Sequence, residues 1–171
     1  MNPTEPTRHE TVFDDATQHV GRVYAEAFLN AADKAGQTAE LLAELEALIG
    51  EVFPRDRYLE AFLSSRAVSR DRKAKALRDA LTGRASELLL NFLLVLNQHD
   101  RLDALRPIAS AAHDLYNERT GKMPVTVRSA VPLGDDQQEN LRQELRAAFG
   151  KEPILSTSVD PDLLGGLTVQ V

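Results

Sequence analysis

The sequence predicts a mainly α protein with a small α+β part: an N-terminal six-helix bundle followed by a β-α-β-β C-terminal unit. Three observations predict it. Apolar residues recur every three or four positions from Val20 to Tyr116, in segments separated by Gly, Pro or short polar turns, which is the signature of amphipathic helices. Residues 88–96, LLLNFLLVL, are apolar everywhere except Asn91, so this segment belongs at the centre of a bundle or beneath a second protein. From Met123 onward the apolar period falls to two, as in a strand.

Residues 1–17 carry Pro3, Glu5, Pro6, Asp14 and Asp15 and are expected to form a disordered polar tail. GRVYAEAFLNAADKAG (21–36) then reads as the first helix, with Gly36 as its stop. Val20, Tyr24, Ala27 and Ala31 share one stripe, with Val23 and Phe28 beside it and Arg22, Glu26, Asn30 and Asp33 opposite. The small Ala27 and Ala31 leave a shallow face on which another helix can lie closely. Leu41, Leu42, Leu45, Leu48, Ile49 and Val52 give a second helix, which Pro54 is expected to close after Phe53. Tyr58, Leu59, Phe62 and Leu63 suggest a short third helix. Ser69 is a plausible N-cap for the fourth, RDRKAKALRDAL, ended by Gly83.

The apolar run 88–96 is the fifth helix. It is too short to span a bilayer, which takes about 20 residues. Each Leu, Val or Phe it buries stabilises by roughly 1.5–3 kcal/mol. NQHDRL (97–102) ends it, and Asp103 is expected to cap a sixth helix with Leu105, Ile108, Ala109, Ala112, Leu115 and Tyr116 inward. Pro107 falls in that helix's first turns, where backbone N–H groups lack intrahelical partners anyway.

MPVTVRSAV (123–131), fenced by Pro124 and Pro132, reads as an edge-type strand. Residues 135–149 form an amphipathic helix with Leu141, Leu145, Ala148 and Phe149 inward. PILSTSV (153–159), a turn at Asp160-Pro161, and LTVQV (167–171) behind Gly165-Gly166 complete the unit. The expected division is therefore a tail over 1–17, a bundle over 18–121 and a small α+β domain over 122–171, cut at Gly121-Lys122.

Composition narrows the function. A chain of 171 residues, 27% charged and 43% hydrophobic with mean hydropathy −0.30, can bury a full core and reads as soluble. Its net charge of −6 disfavours general nucleic-acid binding, which wants a positive excess. The segment Arg66–Arg84 holds seven basic residues against Asp71 and Asp79, so a helical RNA-binding module is the alternative reading, with a solvated helix face the plainer one. Without Cys there is no disulfide framework, thiolate zinc site or cysteine nucleophile, and residues 1–17 show no signal-peptide pattern; a cytoplasmic protein is expected.

No catalytic constellation emerges. His99-Asp100 and His113-Asp114 are adjacent pairs whose side chains point about 100° apart on a helix, and no third ligand is spaced to complete either. Asp14-Asp15 and Asp135-Asp136 suit helix N-termini. Gly165-Gly166 lacks the Lys and Ser/Thr of a phosphate-binding loop, and no Ser sits in a nucleophile elbow. The expectation is a binding protein with no catalytic residue, metal or cofactor.

Three stretches carry a resemblance. GRVYAEAFLNAA (21–32) resembles the first-helix signature of the delta subunit of bacterial F-type ATP synthases, the relative of mitochondrial oligomycin-sensitivity-conferring protein. NFLLVLNQHDRLDAL (91–105) is similar to that family's fifth helix and the turn after it. SVDPDLLGGLTVQV (158–171) resembles its C-terminal signature, with Asp160, Leu164, Gly165 and Gly166 as the structural motif. In this order and at these separations the three cover nearly the whole chain.

The resemblance implies a non-catalytic peripheral-stalk (stator) subunit, bound at the cytoplasmic face of the inner membrane only through its complex. The family's bundle holds the N-terminal helix of an alpha subunit between its first and fifth helices. Carried over, that groove is lined by Tyr24, Ala27, Phe28 and Ala31 on one side and Phe92, Val95 and Leu96 on the other. The C-terminal part engages the peripheral-stalk b subunits, and neither nucleic acid nor cofactor is implied. The family continues past the Gly-Gly strand with a Gly-Ser element and a closing helix; that segment is expected to be lacking here, leaving LTVQV with an unpaired edge.

Overall fold

The computed structural model describes residues 12–161, 163 and 165–171, with side chains from Gln18 onward. Two compact units divide the chain, residues 1–113 and 114–171, so the division falls inside the helix over Leu105–Thr120 rather than at Gly121.

In the first unit, α1 runs over Val12–Ala35, reaching back beyond the expected start at Gly21. No proline interrupts residues 12–35, so the helix continues through what the sequence suggested was tail; the rest of that tail, 1–11, lies outside the described residues. Gly21 is buried in mid-helix because α1 passes close to another element: a Cβ there would lie 3.2 Å from the Pro107 carbonyl oxygen. The core-facing stripe of α1 is Ala25, Phe28, Leu29 and Ala32. Tyr24, Ala27 and Ala31 lie off it.

Helix α2, Thr38–Ala47, passes into a π-helical turn over Leu48–Val52 and then a single turn α3, Phe53–Arg55. Pro54 thus does not close the helix. Phe53 N–H reaches back five residues to the Leu48 carbonyl, and this widened turn relieves the clash that a proline ring makes with the carbonyl four residues before it. The same turn rotates Val52 outward, to 39% exposure.

Helix α4, Arg57–Ser64, starts on Asp56, whose carboxylate accepts the Leu59 N–H at 3.0 Å. Tyr58, one of the residues that suggested this helix, is 80% exposed and stacks on Phe62. Helix α5 spans Arg70–Leu81 after N-cap Ser69, which makes no side-chain cap bond, and α6 spans Glu87–Gln98.

Along α6, Leu89, Leu93, Leu96 and Asn97 are buried, while Val95 is 43% exposed. Ser86 caps its N-terminus by accepting the Leu89 N–H, and the Glu44 carboxylate of α2 accepts both the Ser86 N–H (3.0 Å) and hydroxyl (2.7 Å). At the other end the buried Asn97 amide donates to the Arg70 carbonyl at 2.8 Å, joining α6 to the first residue of α5.

A 3-10 turn, Leu102–Ala104, leads into α7, Leu105–Thr120. Asp103 therefore sits inside that turn, 3.5 Å from Arg66, and is not the cap of α7. Pro107 occupies the first turn of α7 as expected, and Leu105, Ile108, Ala109, Ala112 and Leu115 are buried. The Arg106 fork pairs with Glu60 of α4 at 2.5 and 2.9 Å.

In the second unit, β1 (Lys122–Ser129), α8 (Asp135–Phe149), β2 (Glu152–Val159) and β3 (Leu167–Gln170) follow in the expected β-α-β-β order. The sheet order is β2-β1-β3, with β1 parallel to β2 and antiparallel to β3. So β1 is the central strand and not an edge. Pro124 is tolerated because β3 pairs only with Thr126–Ser129, leaving one neighbour at the proline.

Met123, Val125 and Val127 alternate inward onto Leu145, with Leu133, Leu141, Leu155 and Val169 around them. Ala148 and Phe149 do not join this core: Ala148 is exposed and Phe149 is 52% exposed, since three short strands cover only the middle of α8.

Candidate docking surface

The first unit brings α1 and α6 side by side. The Phe28 and Phe92 rings are 4.7 Å apart between centroids, and Tyr24, one turn before Phe28, is 6.4 Å from His99, just past the end of α6. Above these ring pairs Tyr24 and Phe92 are half-buried, Ala27 and Ala31 are exposed, and Val95 keeps 43% of its surface in solvent. Of the seven residues expected to line the groove, Phe28 is 1% and Leu96 0% exposed, so both belong to the bundle interior. Val23, 52% exposed on α1, lies one turn before Ala27 and follows from the same helical spacing.

Val95 also borders a second depression, between α5 and α6, with Leu94, Asn91, Arg70 and Arg78. The basic segment 66–84 is dispersed by the fold. Arg66 and Arg70 are held by Asp103 and Asp100, Lys73 is buried, and Arg72, Lys75, Arg78 and Arg84 remain exposed. This weakens the RNA-binding alternative, which needs a continuous cationic face.

In the second unit, the C-terminal motif forms the return from β2 to β3. Asp160 N–H donates to the Ser129 carbonyl at 2.9 Å, and the Asp160 carbonyl accepts the Leu163 N–H at 3.2 Å. Gly166 adopts φ +80°, a conformation that suits glycine, and its carbonyl accepts the Ala130 N–H. Gly165 precedes it, exposed, and Leu164 lies outside the described residues. Asp160 and Gly166 thus bring the chain back along the end of β1. One edge of β3 pairs with β1; the other has no strand partner among the described residues.

Among the described residues no group of three or more His, Asp or Glu side chains could hold a metal ion. His113 lies 3.6 Å from Glu46, and His99 packs on Tyr24. No helix among the described residues is long and apolar enough to cross a membrane.

The described residues thus make a helical bundle and a β-α-β-β unit. The chain belongs to the ATP synthase delta (OSCP) subunit family, whose model matches residues 20–171. It is similar to the ATP synthase subunit delta of Symbiobacterium thermophilum, 40% identical over 152 residues that cover 89% of this chain and 81% of the relative. It is also similar to the ATP synthase subunit delta of Rhodopirellula baltica, 30% identical over 170 residues, 99% of this chain and 75% of that one. A chain in the cryo-EM structure of the Toxoplasma gondii mitochondrial ATP synthase hexamer shares the fold, with TM-score 0.65 and 24% identity over 86% of this chain and 83% of that chain.

Proposed function

We propose that this chain is the non-catalytic peripheral-stalk subunit of an F-type ATP synthase, holding the catalytic head still while the rotor turns. In this reading the bundle, residues 18–121, receives the N-terminal helix of an alpha subunit in the furrow between α1 and α6. Residues 122–171 engage the b subunits, and the protein sits at the cytoplasmic face of the membrane through its complex.

The observation that carries it is Val95, exposed on a helix whose residues 88–96 are otherwise apolar except for Asn91. On α1 the small, exposed Ala27 and Ala31 would admit a close approach, and a groove flanked by two helices is the form that helix-in-groove recognition uses. A tether of this kind needs slow release and no chemistry of its own.

The test is titration of the full chain with a peptide copying an alpha-subunit N-terminus. Val95→Asp and Ala27→Glu each place a carboxylate where the partner buries apolar surface, so each is expected to weaken binding by tenfold or more. Circular dichroism should show both variants folded, because both positions face solvent in the free protein. Absence of binding, or binding untouched by either change, overturns the proposal.

A further inference from the structure

Among the described residues Asp100 is the one non-glycine with positive φ, +55°. It ends α6 in a Schellman turn: the Arg101 N–H donates to the Leu96 carbonyl at 2.8 Å and the Asp100 N–H to the Asn97 carbonyl at 3.2 Å. Glycine is the usual residue in such a turn, because a Cβ is disfavoured in the left-handed conformation. The chain uses glycine in that conformation after α1, α5, α7 and α8, at Gly36, Gly83, Gly121 and Gly150. After α6 the easier backbone is given up for a side chain.

That side chain reaches the start of α5. Both oxygens of Asp100 accept from the Arg70 fork, Nε to Oδ1 at 2.9 Å and Nη2 to Oδ2, and Lys73 and Arg101 add attraction to the same carboxylate. A two-bond fork fixes orientation as well as distance. Two residues before His99, the Asn97 amide donates to the Arg70 carbonyl at 2.8 Å. Arg70 therefore grips the end of α6 on both sides of His99, by its backbone at Asn97 and by its side chain at Asp100. His99 in turn packs on Tyr24 of α1 with ring centroids 6.4 Å apart. Helix ends fray unless something holds them, so this grip decides whether His99 stays on Tyr24.

We infer that Asp100 is a positioning residue for partner binding: through Arg70 it holds His99 against Tyr24 and so shapes the end of the α1–α6 seam on which a partner helix docks. The inference rests on the docking reading given above. It accounts for a left-handed aspartate where glycine would be easier, since such a conformation persists only where the surrounding structure over-determines it.

The test titrates the full chain and two variants with the alpha-subunit N-terminal peptide. Asp100→Gly puts the residue best suited to the turn in its place and removes only the carboxylate, while Arg70→Gln removes the fork and leaves Asp100 where it is. Circular dichroism should show both folded. Nuclear Overhauser effects between the Tyr24 and His99 rings should be lost in both, with those between Phe28 and Phe92 kept. Each variant is expected to bind the peptide about fivefold more weakly, within the range for residues that act on a site without touching the ligand. The double variant should bind no more weakly than either single one, because each already opens the same grip. A parent chain that fails to bind the peptide overturns the docking reading and this inference together. A parent that binds, with variants that bind equally well, that keep the Tyr24–His99 contact, or whose losses add in the double variant, overturns this inference alone.

Discussion

The Phe92 ring of α6 leans on the Phe28 ring of α1 with centroids 4.7 Å apart and planes 43° apart. Phe28 is wholly inside the bundle while Phe92 is half-exposed, so this contact runs from the core to the surface. Phe92→Ala is expected to lower unfolding free energy by about 2–3 kcal/mol, toward the low end for a phenylalanine because part of the ring already meets water. Val95→Ala, one turn on and exposed, should stay within about 0.5 kcal/mol of the parent. Urea titrations of the two variants check the contrast; equal losses contradict the difference in burial between the two positions.

Gly21 sits where two effects oppose each other. Alanine there gains about 1 kcal/mol of helix propensity. Its Cβ, however, would press to 3.2 Å against the Pro107 carbonyl oxygen and 3.3 Å against the carbonyl carbon, which are backbone atoms and yield little. Gly21→Ala should therefore be near neutral, whereas Gly21→Val, with two further methyl groups, should destabilise by about 1–3 kcal/mol. Thermal melts of both decide it, and a valine variant as stable as the alanine one removes the close-approach account.

Ser86 serves two helices at once, since its hydroxyl accepts from Leu89 N–H and donates to Glu44. Ser86→Ala is expected to cost about 1 kcal/mol from the lost cap. Combined with Glu44→Ala, the losses should be less than additive, because each single change already breaks the shared bond. A double-mutant cycle by chemical denaturation measures this, and strict additivity argues against the link.

Acid should loosen the bundle through named carboxylates. Hydrogen bonds from Arg106 hold Glu60 below the usual carboxylate range, and those from Arg70 do the same for Asp100. A depressed folded-state pKa contributes stability that is fully present above the unfolded values of about 4 and is lost as pH falls through the lower folded values. Because these pairs are substantially exposed, the effect is modest and screened by salt. Replacing Arg70 and Arg106 with Gln should move the acid-unfolding midpoint upward in dilute buffer and much less in concentrated salt. An unchanged midpoint at low salt refutes it.

Most elements of this fold are legible in the sequence because their apolar spacing is regular: LLLNFLLVL, the Leu105–Leu115 face and the alternating MPVTV segment all became what their periods imply. The misreadings cluster where local pattern is decided from a distance. Pro54 reads as a stop until the π-helical turn before it is seen, and Pro124 suggests an edge because sequence alone cannot show that β3 pairs only beyond it. Tyr58 and Phe149 fit an inward stripe, but no neighbouring element covers them. On α1 and α6, spacing identifies the faces but not their depth, so Phe28 and Leu96 are indistinguishable from their exposed neighbours until burial separates them. Asn97 and Lys73 leave no trace in hydropathy, since their burial follows from contacts between α5 and the end of α6.

The central strand of the sheet has only downstream partners: Lys122 is matched with Glu152, and Thr126 with Gln170. On a ribosome adding about 5–20 residues per second, β1 waits seconds for its first neighbour after it has been made. The helices of the first unit, whose contacts come from residues already synthesised, can consolidate during that interval. Order of birth thereby lets the bundle set before the sheet begins to close, and keeps the slower, long-range pairing from competing with it.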